Sequence, residues 1–124
     1  LFGLALVVSS KLVDSLFHLH VYKTTCVLTK EDKKIAFKAF YDSGNTLKYD
    51  NVPVVFCVKK LWNFSIESPV EIEATGINGT KKYQGYEALL SFGEKDENFF
   101  VYVVLLDDVN SFHGCEMLLN AYLR

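Results

Sequence analysis

A mostly-β domain is what the sequence predicts, on three observations. Aromatic side chains make up 15% of the 124 residues (ten Phe, seven Tyr and one Trp), a set that favours strands. From residue 18 to residue 106 the apolar positions recur with a period of two or in short continuous runs, both of them strand signatures. An Asn-Gly pair at Asn78-Gly79, between two such segments, is the strongest short hairpin signal. Half of the residues are apolar and 23% are charged, which supplies one buried core, and the length suits one domain. With 13 basic and 15 acidic side chains the net charge is −2, so there is no electrostatic footprint for nucleic acid and no polybasic membrane patch.

Taken in order, the elements begin with residues 1–8, an apolar run ended by Ser9-Ser10-Lys11. Eight residues do not span a bilayer, which takes about 20. They are either the last turns of a membrane helix or a short packing helix. Leu12, Val13, Leu16 and Phe17 continue a helical stripe, so a helix is expected to reach about Phe17. The period then changes to two. Residues 18–29 read as a strand, residues 30–34 as a charged turn, and residues 35–41 as the return strand of a hairpin. Asp42-Ser43-Gly44-Asn45 follows, then a polar stretch to Asn51. Val52–Val58 is nearly all apolar, as in a strand covered on both faces. Val70, Ile72 and Ala74 alternate with Glu71, Glu73 and Thr75, a half-exposed strand whose return arm is residues 81–92. Residues 93–98 are a further charged turn, and residues 99–106 a second buried strand. Cys115, Leu118, Leu119 and Tyr122 fall at i, i+3, i+4 and i+7, which predicts a short carboxy-terminal amphipathic helix with Asn120 on its polar side.

Among chemically capable residues, Asp42-Ser43-Gly44 stands out, because it places a carboxylate at a strand end on a tight turn. Gly44 allows close backbone approach, and the Ser43 hydroxyl can tie the loop to a neighbour. Aspartic proteases need such a loop twice, since their two carboxylates share one proton. The same four residues are also good turn chemistry. Asp14, Asp32, Asp50, Asp96, Asp107 and Asp108 all lack a following Ser/Thr-Gly. One loop in a half-sized chain therefore fits an arrangement in which two identical subunits each supply one Asp.

Weaker constellations carry less. His18-x-His20 lacks a second close ligand pair for zinc, and Cys115 beside His113 lies on an apolar stripe and reads as a core thiol. Neither a metal site nor a cofactor is expected, and no phosphate-binding glycine loop occurs. Three widely spaced cysteines suit a reducing compartment better than a disulfide scaffold. The sequons at Asn63 and Asn78 are read as chance patterns.

The hairpin before the Asp42 loop, the covered strand after it, a second hairpin and the terminal Phe112-His113-Gly114 before a helix resemble a retropepsin-like acid protease subunit, a pepsin half-barrel. More narrowly, Tyr41-Asp42-Ser43-Gly44-Asn45-Thr46-Leu47, followed by Pro53-Val54-Val55, is similar to the sporulation sigma-E factor-processing peptidases of endospore-forming bacteria. Leu89-Leu90 and Leu118-Leu119 also fall where that family has Leu-Leu pairs. The chain departs from the family at Lys82-Tyr83, where a Pro-Tyr pair is usual, and at Leu118-Leu119-Asn120-Ala121, where the family closes with Leu-Leu-His-Pro.

The resemblance implies a catalytic Asp42, a loop shaped by Ser43, Gly44 and Asn45, and a flap whose tip is Gly76, Ile77, Asn78 and Gly79. It implies that residues 1–17 are the end of a membrane helix and a linker helix, and that residues 18–124 are the protease domain. It further implies a homodimer held to the cell membrane through amino-terminal helices, with the protease domain in the cytoplasm. The substrate would be the pro-sequence of a sporulation sigma factor, and a signalling protein from the forespore would activate the enzyme. A non-catalytic module of the same fold that only dimerises or binds a partner is the alternative. A soluble housekeeping protease is a third reading.

Overall fold

The computed structural model describes residues 23–92, 97–107, 112 and 114–123. Alternation at the start of that span produces β1 (Lys23–Lys30) and β2 (Lys33–Tyr41), antiparallel from Lys23 opposite Phe40 to Lys30 opposite Lys33. Only Glu31 and Asp32 form the turn, at φ +56° and +63°, the pair of positive values that a type I′ turn requires. The same device joins β3 (Lys48–Tyr49) to β4 (Val52–Val58), with Asp50 and Asn51 at φ +50° and +64°. β3 falls inside the polar stretch after the Asp42 loop, where two residues are too few to show a period.

Four more strands follow: β5 (Val70–Gly76), β6 (Gly79–Phe92), β7 (Asn98–Leu106) and β8 (Met117–Leu119). Six strands close a barrel in the order β1-β2-β8-β4-β7-β6, with β6 returning to β1. The β2–β8 and β4–β7 pairs are parallel and the others antiparallel. β6 is long because it serves two purposes. Residues 85–91 pair with β7 in the barrel, whereas residues 79–85 pair with β5 and carry the β5–β6 hairpin beyond it.

The barrel interior holds Cys26, Leu28, Phe37, Ala39, Val55, Cys57, Leu90, Val101, Val103, Met117 and Leu119, the inward positions of a period-two pattern. A second cluster of Val54, Ile72, Tyr102 and Val104 takes the opposite faces of β4 and β7, with Leu47, Tyr49, Phe56 and Tyr83 packed against it. Both faces of β4 are thus covered, as its run of apolar residues predicts.

The carboxy-terminal helix is corrected. Met117–Leu119 is a strand, not a helix, and only a 3-10 turn, Ala121–Leu123, follows it. Met117 and Leu119 face the interior while Leu118, on the other face, is buried as well. A strand inserted between two neighbours buries consecutive residues, and over so short a run that pattern coincides with a helical stripe. Two exposures separate the readings: Tyr122, on the supposed apolar stripe, is 58% exposed, and Asn120, on the supposed polar side, is 0% exposed. Phe112 is buried and Gly114 sits at φ +78°, and the described residues after Gly114 lead into β8 rather than into a helix. The helix expected over residues 1–17 lies outside the described residues, as do His18 and His20. Among the described residues no helix is long and apolar enough to cross a membrane.

Candidate active-site loop

β2 ends at Tyr41, opposite Leu119 of β8, and the chain turns at once. The Asp42 amide donates to the Leu119 carbonyl at 3.3 Å, which prolongs the β2–β8 ladder by one bond. Asn45 N–H then donates to the Asp42 carbonyl at 3.0 Å, closing a turn over residues 42–45. Within it the Gly44 amide donates to Asp42 Oδ1 at 2.9 Å. A Cβ at Gly44 would stand 3.3 Å from that oxygen, a crowded approach that glycine avoids. Asp42 is half-buried; Ser43 and Gly44 are exposed. No hydrogen bond ties the Ser43 side chain to a neighbour among the described residues.

Asn45 is buried and anchors the turn from below. Its Nδ2 donates to the Val54 carbonyl at 3.0 Å, and its Oδ1 accepts from the Leu47 amide at 3.3 Å. Its own carbonyl accepts from the Ala121 amide at 2.8 Å. Asn45 and Gly44, both expected to shape this loop, thus each make hydrogen bonds within it or to β4. Asn120 was not expected here at all. Its Nδ2 donates to Leu47 O at 2.6 Å and to Val54 O at 3.1 Å. The one signal in the sequence was a polar side chain set among apolar neighbours, which on burial must find partners.

The expected flap residues lie at the tip of the β5–β6 hairpin, where Gly76 pairs with Gly79 and Ile77-Asn78 forms the turn. Gly79 opens β6 at φ +109°, a conformation that side-chain-bearing residues rarely adopt. Ile77 is fully exposed. The root of this hairpin and the downstream end of the Asp42 loop meet in one cluster, since Ile72 and Tyr83 pack with Leu47 and Tyr49. Lys48 Nζ lies 3.9 Å from the Tyr122 ring centroid, a further tie between that end of the loop and the segment after β8.

Cys26 and Cys57 lie in the barrel interior, and burial above all pushes both thiols up to about 12. That keeps them neutral and unreactive. Among the described residues no group of three His, Cys, Asp or Glu side chains is placed to hold a metal ion.

Fold and loop together define a closed β-barrel that presents one carboxylate on a pinned turn. No family model, no curated protein and no solved structure matches the chain.

Proposed function

We propose that the chain is the protease domain of a homodimeric aspartic endopeptidase, with Asp42 of two subunits forming the catalytic pair. The observation that carries this reading is the Asp42-Ser43-Gly44 turn at a strand end, where the half-buried Asp42 is held through its backbone by the Leu119 carbonyl and the Asn45 N–H, and its carboxylate accepts from the Gly44 amide. At about 3 Å and an effective dielectric of about 20, two carboxylates repel by roughly 5 kcal/mol. A facing pair therefore retains one proton. The ionised partner takes a proton from water as it attacks the peptide carbonyl, while the protonated partner donates its proton to the carbonyl oxygen. As the tetrahedral diol collapses, the proton taken from water passes to the leaving nitrogen and the other carboxylate recovers a proton from a diol hydroxyl. The exposed β5–β6 hairpin serves as the flap that covers a bound peptide.

The sequence resemblance extends this to a substrate and a place. The enzyme removes the pro-sequence of a sporulation sigma factor of the sigma-E type, at the cytoplasmic face of the cell membrane, in response to a signalling protein from the forespore. A retropepsin-like fold and a tether of amino-terminal membrane helices belong to the same proposal. The competing reading is a partner-binding module in which Asp42 serves only to cap its own turn, and the Gly44–Asp42 bond is what favours it. Co-expression of the full-length protein with a pro-sigma factor separates the two. Cleavage that disappears in the Asp42→Ala protein is the expected result, and cleavage that persists would leave Asp42 a turn residue.

A further inference from the structure

Asn45 and Asn120 are the two buried polar side chains among the described residues, and the reading above gives Asn120 no part. Three consecutive residues bind three points of the Asp42 loop. Leu119 O accepts from Asp42 N, the Asn120 amide donates to Leu47 O, and Ala121 N donates to Asn45 O. The Asn120 amide also reaches Val54 O, the carbonyl that Asn45 Nδ2 occupies, so loop, β4 and the end of β8 meet at one oxygen. Asn120 Oδ1 is held in turn by the Tyr122 amide at 3.0 Å, which sets the side-chain orientation.

We propose that Asn120 is a positioning residue that holds the Asp42 carboxylate in its working orientation by bridging the Leu47 and Val54 carbonyls. Its effect on cleavage rests on the aspartic-peptidase reading; its effect on the loop does not. The site demands an amide. The Asn120 Nδ2 faces two carbonyl oxygens, and a carboxylate of the same shape would set oxygen against oxygen. Removing the side chain does not orphan either carbonyl, because Leu47 O keeps the Val54 amide and Val54 O keeps Asn45 Nδ2. The barrel therefore survives Asn120→Ala while the tie is lost, and stability and positioning come apart.

The first measurement uses the unaltered protein. By NMR the Asn120 side-chain amide protons should exchange as slowly as the backbone amides of β4. In Asn120→Ala the Gly44 amide should exchange about tenfold faster or more, with the β1–β2 hairpin unchanged. The Asp42 carboxyl carbon should shift away from its position in the unaltered protein. In the same variant kcat should fall about tenfold or more while KM stays within about twofold, and Asn120→Ser, which restores one donor, should recover part of both losses. Freely exchanging Asn120 amide protons would overturn the proposal, even if Asn120→Ala fails to fold. So would an Asn120→Ala protein with unchanged Gly44 exchange and Asp42 carboxyl signal. If the unaltered protein cleaves nothing, the peptidase reading falls and the NMR measurements alone decide the role of Asn120.

Discussion

At Gly85, where β6 passes from pairing β5 to pairing β7, an added Cβ would collide with Ile72 Cδ1, and Ile72 is itself 1% exposed with little room to withdraw. Gly85→Ala should therefore lower stability by about 1–3 kcal/mol, read from chemical denaturation. In an Ile72→Val background, which removes the clashing Cδ1, the same change should do clearly less harm; equal losses in both backgrounds would mean that the two residues do not press on each other. The interior thiols give a second prediction, with a definite sign. Burial, and for Cys26 the neighbouring Cys57 charge, raise both from 9.0 to about 12, so the folded state keeps them neutral where the unfolded chain ionises them. Their contribution to stability is complete below about pH 9 and is lost as pH rises toward about 12. Urea midpoints should fall between about pH 8 and about pH 10, and fall less in Cys57→Ala. At this scale the sequence disclosed Asn45 and hid Asn120. Asn45 sits inside recognisable turn chemistry and its side chain bonds residues at most nine positions away, whereas the Asn120 side-chain amide donates across 66 and 73 positions.

Strand elements with period-two alternation on a half-exposed face were legible: the β1–β2 hairpin, β5 and the return arm in β6 all follow it. β8 was not, because three consecutive buried residues carry no period, and their partners in β2 and β4 lie far back in the sequence. The two-residue β3 escaped for want of length. The β5–β6 hairpin supplies the prediction at this level. Residues 79–84 lack the β7 partner that residues 85–91 have, and the tip is fully exposed, so its amides open without disturbing the barrel. Hydrogen exchange should be faster at residues 77–80 than in Val52–Val58 and should slow on binding a peptide inhibitor. Equal protection of the two segments, or indifference to the inhibitor, would remove the flap assignment.

For the whole molecule the decisive property is that one chain carries one Asp-Ser-Gly loop, so the proposed site is complete only as a pair. Asp42→Asn keeps the side-chain shape and leaves the Oδ1 acceptor for Gly44, so the fold should persist while cleavage drops by about two orders of magnitude or more. Mixing unaltered protein with excess Asp42→Asn protein should then suppress activity below simple dilution, since mixed dimers hold one carboxylate. Activity that only dilutes, or full activity in a strictly monomeric preparation, would refute the shared site. The position of β8 has a consequence for biosynthesis. Of the eight strands among the described residues it is the last to leave a ribosome, yet its place is between the second and the fourth, and its approach joins Glu116 to Lys38 across 78 positions. Such distant pairing makes for slow folding, on the order of milliseconds to seconds, and a nascent chain holds an open seam with two unpaired strand edges until then. The Asp42 turn gains its ties to Leu119, Asn120 and Ala121 only when that seam closes. A chain whose ribosome has not yet passed β8 therefore lacks the ties that pin the Asp42 turn, and on the proposed reading it is an unassembled half-site.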